Sequence, residues 1–326
     1  MMKLTHILAS AAIISTLSAC NGSLQTADRT PVDYVNPYIG NISHLLVPTF
    51  PTIQLPNSML RVYPERADYT SELLKGLPLI VTNHRERSAF NFSPYQGEKL
   101  RPVITYNYDN EHITPYSFDV ELDDNRMKAE YALSHQSAIY RITYEADKPA
   151  YLIVNSRNGS IHANENFISG RQQLNDNTNV YVYIEAQEKP ISAGILENGT
   201  IETSKDNAEG ANACAAWRFA DGTTTVNLRY GISFISEEQA KKNLEREIAA
   251  YDVDVVAKIA RNDWNDALGK IQVQGGTKDE KTVFYTSLYR CYERPINLSE
   301  DGHYYSAFDG KIHEDGGRLN TRFPPE

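Results

Sequence analysis

Residues 101–235 contain a series of short runs in which apolar and polar residues alternate. This series constrains the fold more than any other feature of the chain. Apolar and polar residues alternate in residues 116–122 and 127–133, and Asp-Asp-Asn at 123–125 separates the two runs. Two period-two runs joined by such a turn are typical of a β-hairpin. No helical pattern interrupts the series, so we expect antiparallel rather than parallel strands. The predicted fold of residues 32–235 is therefore a mainly β antiparallel β-sandwich.

Further strands are expected around this hairpin, at residues 101–108, 138–144, 150–155, 180–184, 212–219 and 224–234. Residues 32–100 are less regular, because six prolines from position 31 to position 64 interrupt short apolar segments. Proline removes a backbone donor, so this part of the domain is expected to form edge strands and long loops.

The hydrophobic period changes after Ser236 from that of a strand to that of a helix. Ser236 and Gln239 have the spacing of a capping box, in which each side chain serves a free backbone N–H of the first turn. Apolar residues then recur at spacings of three and four, which predicts two linker helices over residues 236–270. Trp264 lies on the apolar stripe of the second helix and is expected to be a packing residue. A short strand is expected at residues 270–274.

A third helix is predicted to begin at Thr277, which forms a second capping box with Glu280, and to end before Pro295. Its predicted apolar stripe consists of Phe284, Leu288 and Cys291. We interpret residues 271–326 as the start of a helical domain. No later helix in the sequence could cover the stripe, so we expect the stripe to lack a partner within this chain.

Residues 1–19 have a basic start, an apolar run and a small-residue cleavage site, which is typical of a secretory signal peptide. A cysteine directly after Ala19 makes this site a bacterial lipobox, so we expect cleavage before Cys20 and lipidation of that residue. The alternative is an ordinary signal peptide with an incidental cysteine. Residues 20–31 are polar and are interpreted as a tether. The expected location is the bacterial cell envelope, facing the periplasm or the outer surface, with a lipid anchor in the membrane.

The composition and charge of the sequence limit the kinds of binding partner that we expect. The formal net charge is −10 at pH 7 and the sequence contains no basic run, so we expect no nucleic-acid partner. Beyond the predicted leader, no second apolar run has the length that a membrane-spanning helix needs. Cys214 and Cys291 are expected to be free thiols rather than a disulfide framework.

Five short segments resemble sequences of glycoside hydrolase family 92, whose members are bacterial exo-acting α-mannosidases. These segments are residues 34–40, 50–59, 284–290, 301–304 and 309–311. Their order fits the layout of that family, in which a sandwich, linker helices and a helical catalytic domain follow one another. The resemblance implies an inverting, calcium-dependent glycosidase and a mannose-containing glycan as its partner.

The resemblance also implies that the catalytic carboxylates lie beyond this sequence. The catalytic domain of the family is an (α/α)6 toroid, and residues 271–326 resemble only its first part. Inversion needs two carboxyl groups about 6.5–9.5 Å apart, and calcium needs about six to eight oxygen ligands. In the family these groups come after the position of residue 326. We therefore assign no catalytic residue, metal ligand or cofactor to this chain and expect Ca²⁺ only in the full-length family.

The sequence departs from the family pattern at three places. Thr52-Ile53 and Asn57-Ser58 stand where family members carry Gly-Ala and Phe-Gly. Residues 79–87 contain one histidine and no Ser-Gly pair, where the family has a histidine- and glycine-rich loop that faces the sugar. The usual sugar contacts of the N-terminal domain cannot be carried over to these positions.

Asn83, His84 and Arg85 are the first candidates for substrate binding. They follow the apolar run at residues 77–81, at a predicted strand end. Two interpretations are open for them: hydrogen bonds to sugar hydroxyls at the domain junction, or a solvated loop.

Asp301 and Asp309 are the other candidates for substrate binding. With Glu314 and Asp315 they are the carboxylates that cluster near the expected active face. They could contact a sugar or a metal ion. Each of the two precedes a glycine, however, and Asp-Gly is typical of a turn, which is the interpretation we favour.

Two functions from different classes fit the sequence. The first is the N-terminal portion of an α-mannosidase-like glycoside hydrolase, which we expect to be inactive alone. The alternative is a non-catalytic glycan-binding lipoprotein. We favour the first, because a stand-alone sandwich would have no use for an uncovered helix at residues 278–292.

Overall fold

The computed structural model describes residues 29–41, 49–66, 71–82, 88–123, 126–175, 177–316 and 321–322. A 3-10 turn, Pro31–Tyr34, opens this part of the chain. The described helices are all too short or too polar to cross a membrane.

Strands make up most of the described structure. They are β1 (Ile53–Gln54), β2 (Arg61–Val62), β3 (Leu73–Lys75), β4 (Leu77–Pro78), β5 (Phe90–Tyr95), β6 (Thr105–Ile113), β7 (Ser117–Leu122), β8 (Met127–Leu133), β9 (Ser137–Thr143), β10 (Tyr151–Ala163), β11 (Ile168–Gln173), β12 (Asn179–Ala186), β13 (Ser192–Glu197), β14 (Thr200–Glu202), β15 (Asn207–Arg218), β16 (Thr225–Ser233), β17 (Ile296–Asn297), β18 (His303–Ser306), β19 (Lys311–Glu314) and β20 (Thr321–Arg322).

The main sheet is antiparallel throughout and runs in the order β14-β13-β15-β10-β11-β12-β16-β9-β8-β7-β6-β3. It branches at β10, where residues 151–156 pair with β5 and residues 159–163 pair with β11. At this branch a Cβ on Gly159 would lie 1.8 Å from the Arg171 carbonyl oxygen, so only glycine fits there. The antiparallel β-sandwich predicted from the alternating runs is confirmed.

Buried tyrosines fill the middle of the sandwich, and each places its hydroxyl on a partner. The Tyr140 hydroxyl donates to the Pro78 carbonyl at 2.7 Å, and the Tyr230 hydroxyl donates to the Leu79 carbonyl at the same distance. Tyr131 and Tyr230 share a further hydroxyl contact of 3.2 Å. Burial raises the pKa of Tyr140 and of Tyr230 well above the ordinary value, so both phenols remain neutral donors.

Two helices cover one face of the sandwich. Helix α1 (Glu237–Glu247) packs on β16 and β12, and helix α2 (Val253–Leu268) packs on β8 and β9. The Ser236 hydroxyl accepts from the Gln239 backbone N–H at 3.1 Å, which is one half of the predicted capping box. The Gln239 amide donates elsewhere, to Asn243 and Asp301, so the other half of that prediction was wrong.

Helix α3 (Lys278–Cys291) begins with the capping box predicted for Thr277 and Glu280, and both of its hydrogen bonds are present. The prediction of a strand at residues 270–274 was wrong, because these residues form a turn and a connection without regular secondary structure between α2 and α3. Two glycines with positive φ, Gly275 at 74° and Gly276 at 72°, bend the chain there.

We predict that Tyr140→Phe lowers the free energy of unfolding by about 1–3 kcal/mol, because the Pro78 carbonyl is left buried without its donor. The half-buried Tyr95 is a matched control, and Tyr95→Phe is expected to change stability by less than about 0.5 kcal/mol. Urea denaturation followed by circular dichroism measures both values. Equal destabilisation by the two variants would contradict the assigned role of the Tyr140 hydroxyl.

Candidate functional site

Helix α3 is attached to backbone carbonyls of the N-terminal segment. The Tyr289 hydroxyl donates to the Thr52 carbonyl. The Arg290 guanidinium donates to the Phe50 carbonyl at 2.6 Å and to the Pro37 carbonyl at 2.8 Å. Two of the segments that resembled family 92, residues 34–40 and 50–59, therefore meet a third, residues 284–290, in space. We call this contact region the α3 junction.

Aromatic packing completes the α3 junction. The Tyr34 ring stacks on the Tyr285 ring with 5.8 Å between centroids, and the Trp264 ring lies 5.2 Å from that of Tyr289. The Trp264 indole N–H donates to the Gln54 carbonyl at 2.7 Å. Trp264, predicted from the stripe of α2 to be a packing residue, is fully buried.

The prediction that the apolar stripe of α3 lacks a partner was wrong, because Phe284 and Leu288 of that stripe are partly buried against the core. The buried residues of α3 are Tyr285, Thr286 and Tyr289. Cys291, which was placed on the apolar stripe, is exposed. The tyrosines of α3 were the signal for its buried face, because a tyrosine offers both an apolar ring and a hydroxyl that can reach a backbone acceptor.

Asn57 and Ser58, where the sequence departs from the family pattern, have structural roles. Asn57 has a φ of 56°, a left-handed conformation that asparagine tolerates. Its side-chain amide donates to the Pro295 carbonyl at 2.7 Å, and its backbone N–H donates to the Tyr292 carbonyl at 3.0 Å. The Ser58 hydroxyl accepts from the Leu55 N–H at 3.1 Å within the same turn. The substituted turn thus holds the chain after α3.

Asp301 lies in a turn and is bound to helix α1. Its φ is 50°, and Gly302 follows it with a φ of 85°. The Gln239 amide donates to one carboxylate oxygen at 2.7 Å, and the Arg246 guanidinium pairs with the other. The carboxylate is therefore engaged by the protein itself.

Asp309 lies at the opposite end of the β18–β19 hairpin from Asp301. His313 Nε2 lies 2.9 Å from its carboxylate. Desolvation raises the pKa of Asp309, but hydrogen bonds from Ser306 and His313 outweigh it, and the pKa lies below its ordinary value. Four residues per strand separate the ends of this hairpin by roughly 13 Å, so the fold does not bring Asp301 and Asp309 together.

Glu300 is a buried carboxylate that the sequence did not indicate. Its side chain is buried and accepts from the Phe234 backbone N–H at 2.9 Å and from the Asn243 amide at 2.8 Å. Burial raises the pKa of Glu300 to about 7, although hydrogen bonds from Ser233, Phe234 and Asn243 lower it. A glutamate beside an Asp-Gly turn is ordinarily solvated, so nothing in the pattern pointed to a buried carboxylate.

The remaining site predictions lie outside the described residues. Asn83, His84 and Arg85 are not among those residues, and neither is Cys20. Within the described ranges, no three His, Cys, Asp or Glu side chains are grouped so that they could hold a metal ion. These ranges alone therefore do not form the calcium site that the resemblance implies.

The sequence matches two family descriptions in succession. Residues 34–233 match the glycosyl hydrolase family 92 N-terminal domain, and residues 239–323 match the glycosyl hydrolase family 92 catalytic domain. The class of protein is thus a glycoside hydrolase with a β-sandwich before a helical domain. The chain belongs to glycosyl hydrolase family 92.

Solved structures of this family are similar to the chain. A family 92 inverting mannosidase from Bacteroides thetaiotaomicron superimposes with a TM-score of 0.78 at 26% identity, over 87% of this chain and 43% of that protein. An α-mannosidase of the same organism and family gives a TM-score of 0.78 at 22% identity, over 90% of this chain and 45% of that protein, a level of identity that shows the fold alone.

A curated relative matches a shorter stretch. An uncharacterized secreted glycosidase from Arthroderma benhamiae is 38% identical over 80 residues, which is 23% of this chain and 10% of that protein. The chain thus spans less than half the length of these solved relatives and about a tenth of the curated one.

We predict a pH dependence of stability that Glu300 causes. The pKa of Glu300 is about 7 in the folded protein against 4.5 for the free side chain. Its contribution to stability is therefore fully present below about pH 4.5 and is lost as the pH rises through 7. In Glu300→Gln this contribution is absent. The difference in unfolding free energy between the wild type and the variant should therefore shrink by about 1–3 kcal/mol as the pH rises from about 4.5 through 7.

Urea denaturation of both proteins at pH 4.5, 5.5, 6.5 and 7.5 measures this difference. Glu209→Gln is a suitable control, because Glu209 is an exposed carboxylate that pairs with Arg171, and its curve should stay parallel to that of the wild type. Parallel curves for the wild type and Glu300→Gln would show that Glu300 does not carry a raised pKa.

Proposed function

We propose that this chain forms the N-terminal portion of an α-mannosidase-like glycoside hydrolase that acts on mannose-containing glycans. The observation that carries the proposal is the ordered match to both family 92 domains, over residues 34–233 and 239–323. A relative of this family is an inverting mannosidase, and another has been solved in complex with mannoimidazole. The α3 junction supports the proposal, because it joins the two matched regions into one packed unit.

The chain alone is proposed to bind or position the glycan without hydrolysing it. Inversion requires a general acid and a general base on opposite sides of the scissile bond, about 6.5–9.5 Å apart. Of the two aspartates considered from the sequence, Asp301 pairs with Arg246 and Asp309 pairs with His313. Hydrolysis is therefore proposed to need residues that correspond to the rest of the solved relatives, and Ca²⁺ is expected with them.

We predict that purified residues 21–326 release no mannose from α-mannobiose above the rate of a protein-free blank. An enzyme-coupled mannose assay in the presence of Ca²⁺ measures this, with a family 92 mannosidase of full length as the positive control. Turnover by residues 21–326 that scales with the protein concentration would overturn the proposal that this part of the protein is inactive alone.

We also infer that the protein is a lipoprotein of the bacterial cell envelope, anchored through Cys20. The inference is supported by the lipobox at residues 17–20 and by the polar tether that follows it. The anchor would place a glycan-processing domain outside the cytoplasm, where glycans are encountered.

Cys20→Ser is predicted to abolish incorporation of labelled palmitate and to move the protein from the membrane fraction to the soluble fraction. Cys291→Ser is the matched control, because Cys291 is an exposed thiol in the body of the protein, and it should leave both properties unchanged. Palmitate incorporation that persists in Cys20→Ser would rule out this anchor.

A further inference from the structure

The β1–β2 ribbon carries buried hydrogen-bond donors that lack acceptors. Gln54 and Arg61 are direct cross-strand partners, so their side chains lie on the same face of the ribbon. They are 1% and 3% exposed. Gln54 Nε2 and the two terminal nitrogens of Arg61 have no partner among the described residues. The third nitrogen of the guanidinium, Arg61 Nε, donates to the Val81 carbonyl at 3.3 Å.

The Arg61 guanidinium is charged under ordinary conditions. Burial and the nearby Arg294 lower its pKa to about 10, which is still well above neutral pH. A buried charge without a partner is among the most costly arrangements in a folded protein. Several unpaired donors that face the same space therefore indicate a group that supplies both acceptor atoms and negative charge.

No neighbouring side chain in the described structure supplies that group. Glu293 is close enough to favour the charged form of Arg61, but its carboxylate pairs with Arg290 at 2.6 Å. Among the described residues, the charged side chains that act on the Arg61 guanidinium are those of Arg294 and Glu293. A buried water could accept one or two hydrogen bonds, but it would leave this positive charge uncompensated.

The ribbon lies at the α3 junction. Thr52, two residues before Gln54, accepts the hydrogen bond from Tyr289, and the Gln54 carbonyl accepts that from Trp264. A group bound by Gln54 and Arg61 would therefore be held between the sandwich and α3.

We propose that Gln54 and Arg61 form an anion-binding site that takes a carboxylate or phosphate group. The planar fork of the guanidinium matches two oxygens of such a group, and the Gln54 amide supplies a third donor. As a component of the glycan substrate, the anion would make this protein selective for acidic glycans. That part of the inference rests on the proposed function, whereas the anion site itself does not.

Isothermal titration of the folded mature chain with inorganic phosphate, mannose 6-phosphate and methyl α-mannoside tests the site. We expect saturable binding of at least one phosphate ligand, and mannose 6-phosphate should bind more tightly than methyl α-mannoside. Arg61→Gln should weaken phosphate binding at least about tenfold, and Arg61→Lys, which keeps the charge but loses the fork, should weaken it about three- to tenfold.

Arg171→Gln is the matched control, because Arg171 pairs with the exposed Glu209 on the surface of β11 and should not affect binding. Circular dichroism verifies that each variant is folded. If Arg61→Gln does not fold, Arg61→Lys and Gln54→Leu carry the test, and Gln54→Leu is expected to weaken binding about threefold.

Absence of binding of both phosphate ligands to the folded wild type overturns the anion site, and so does unchanged binding in the folded variants. Binding of inorganic phosphate without binding of mannose 6-phosphate supports the anion site and contradicts its assignment to a glycan. Tight binding of methyl α-mannoside that Arg61→Gln does not alter supports the proposed function and contradicts this inference. The two proposals can therefore fail separately.

Discussion

Three hydrogen bonds from α3 to backbone carbonyls organise this chain. Tyr289 and Arg290 donate to the carbonyls of Thr52, Phe50 and Pro37, so one turn of helix fixes two separate parts of the N-terminal segment. The acceptors are main-chain atoms, so these three hydrogen bonds do not depend on which side chains stand at positions 37, 50 and 52. The segment can therefore differ from other family members at residues 52–53 and 57–58 and still pack against the same helix.

A second attachment lies after α3, at Glu300 and Asp301. Glu300 accepts hydrogen bonds from the end of β16 and from Asn243 of α1, while Asp301 pairs with Arg246 of the same helix. The sandwich thus holds the chain both within α3 and after it. Two attachments restrain the rotation of this segment relative to the sandwich as well as its separation from the sandwich. The described part of the chain after α2 therefore has a defined orientation relative to the sandwich.

The sequence predicted the parts of the fold that a local pattern encodes. The alternating runs located β7 and β8 to within a residue, and the stripe of α2 identified Trp264 as buried. The predicted stripe of α3 missed the most buried residues of the helix because it counted only apolar residues, whereas the helix buries tyrosines whose hydroxyls have backbone partners. Glu300 and the unpaired donors of Gln54 and Arg61 could not be predicted, because their burial arises only when distant segments pack together.

Native-state hydrogen exchange of α3 tests most directly whether the α3 junction is part of the folded core. We expect the amides of residues 285–290 to open with a free energy within about 1 kcal/mol of that of the central strand β16, because both would be exposed in the same unfolding event. Rapid exchange of α3 while β16 remains protected would contradict this account, since the helix would then be an appendage that the sandwich does not hold.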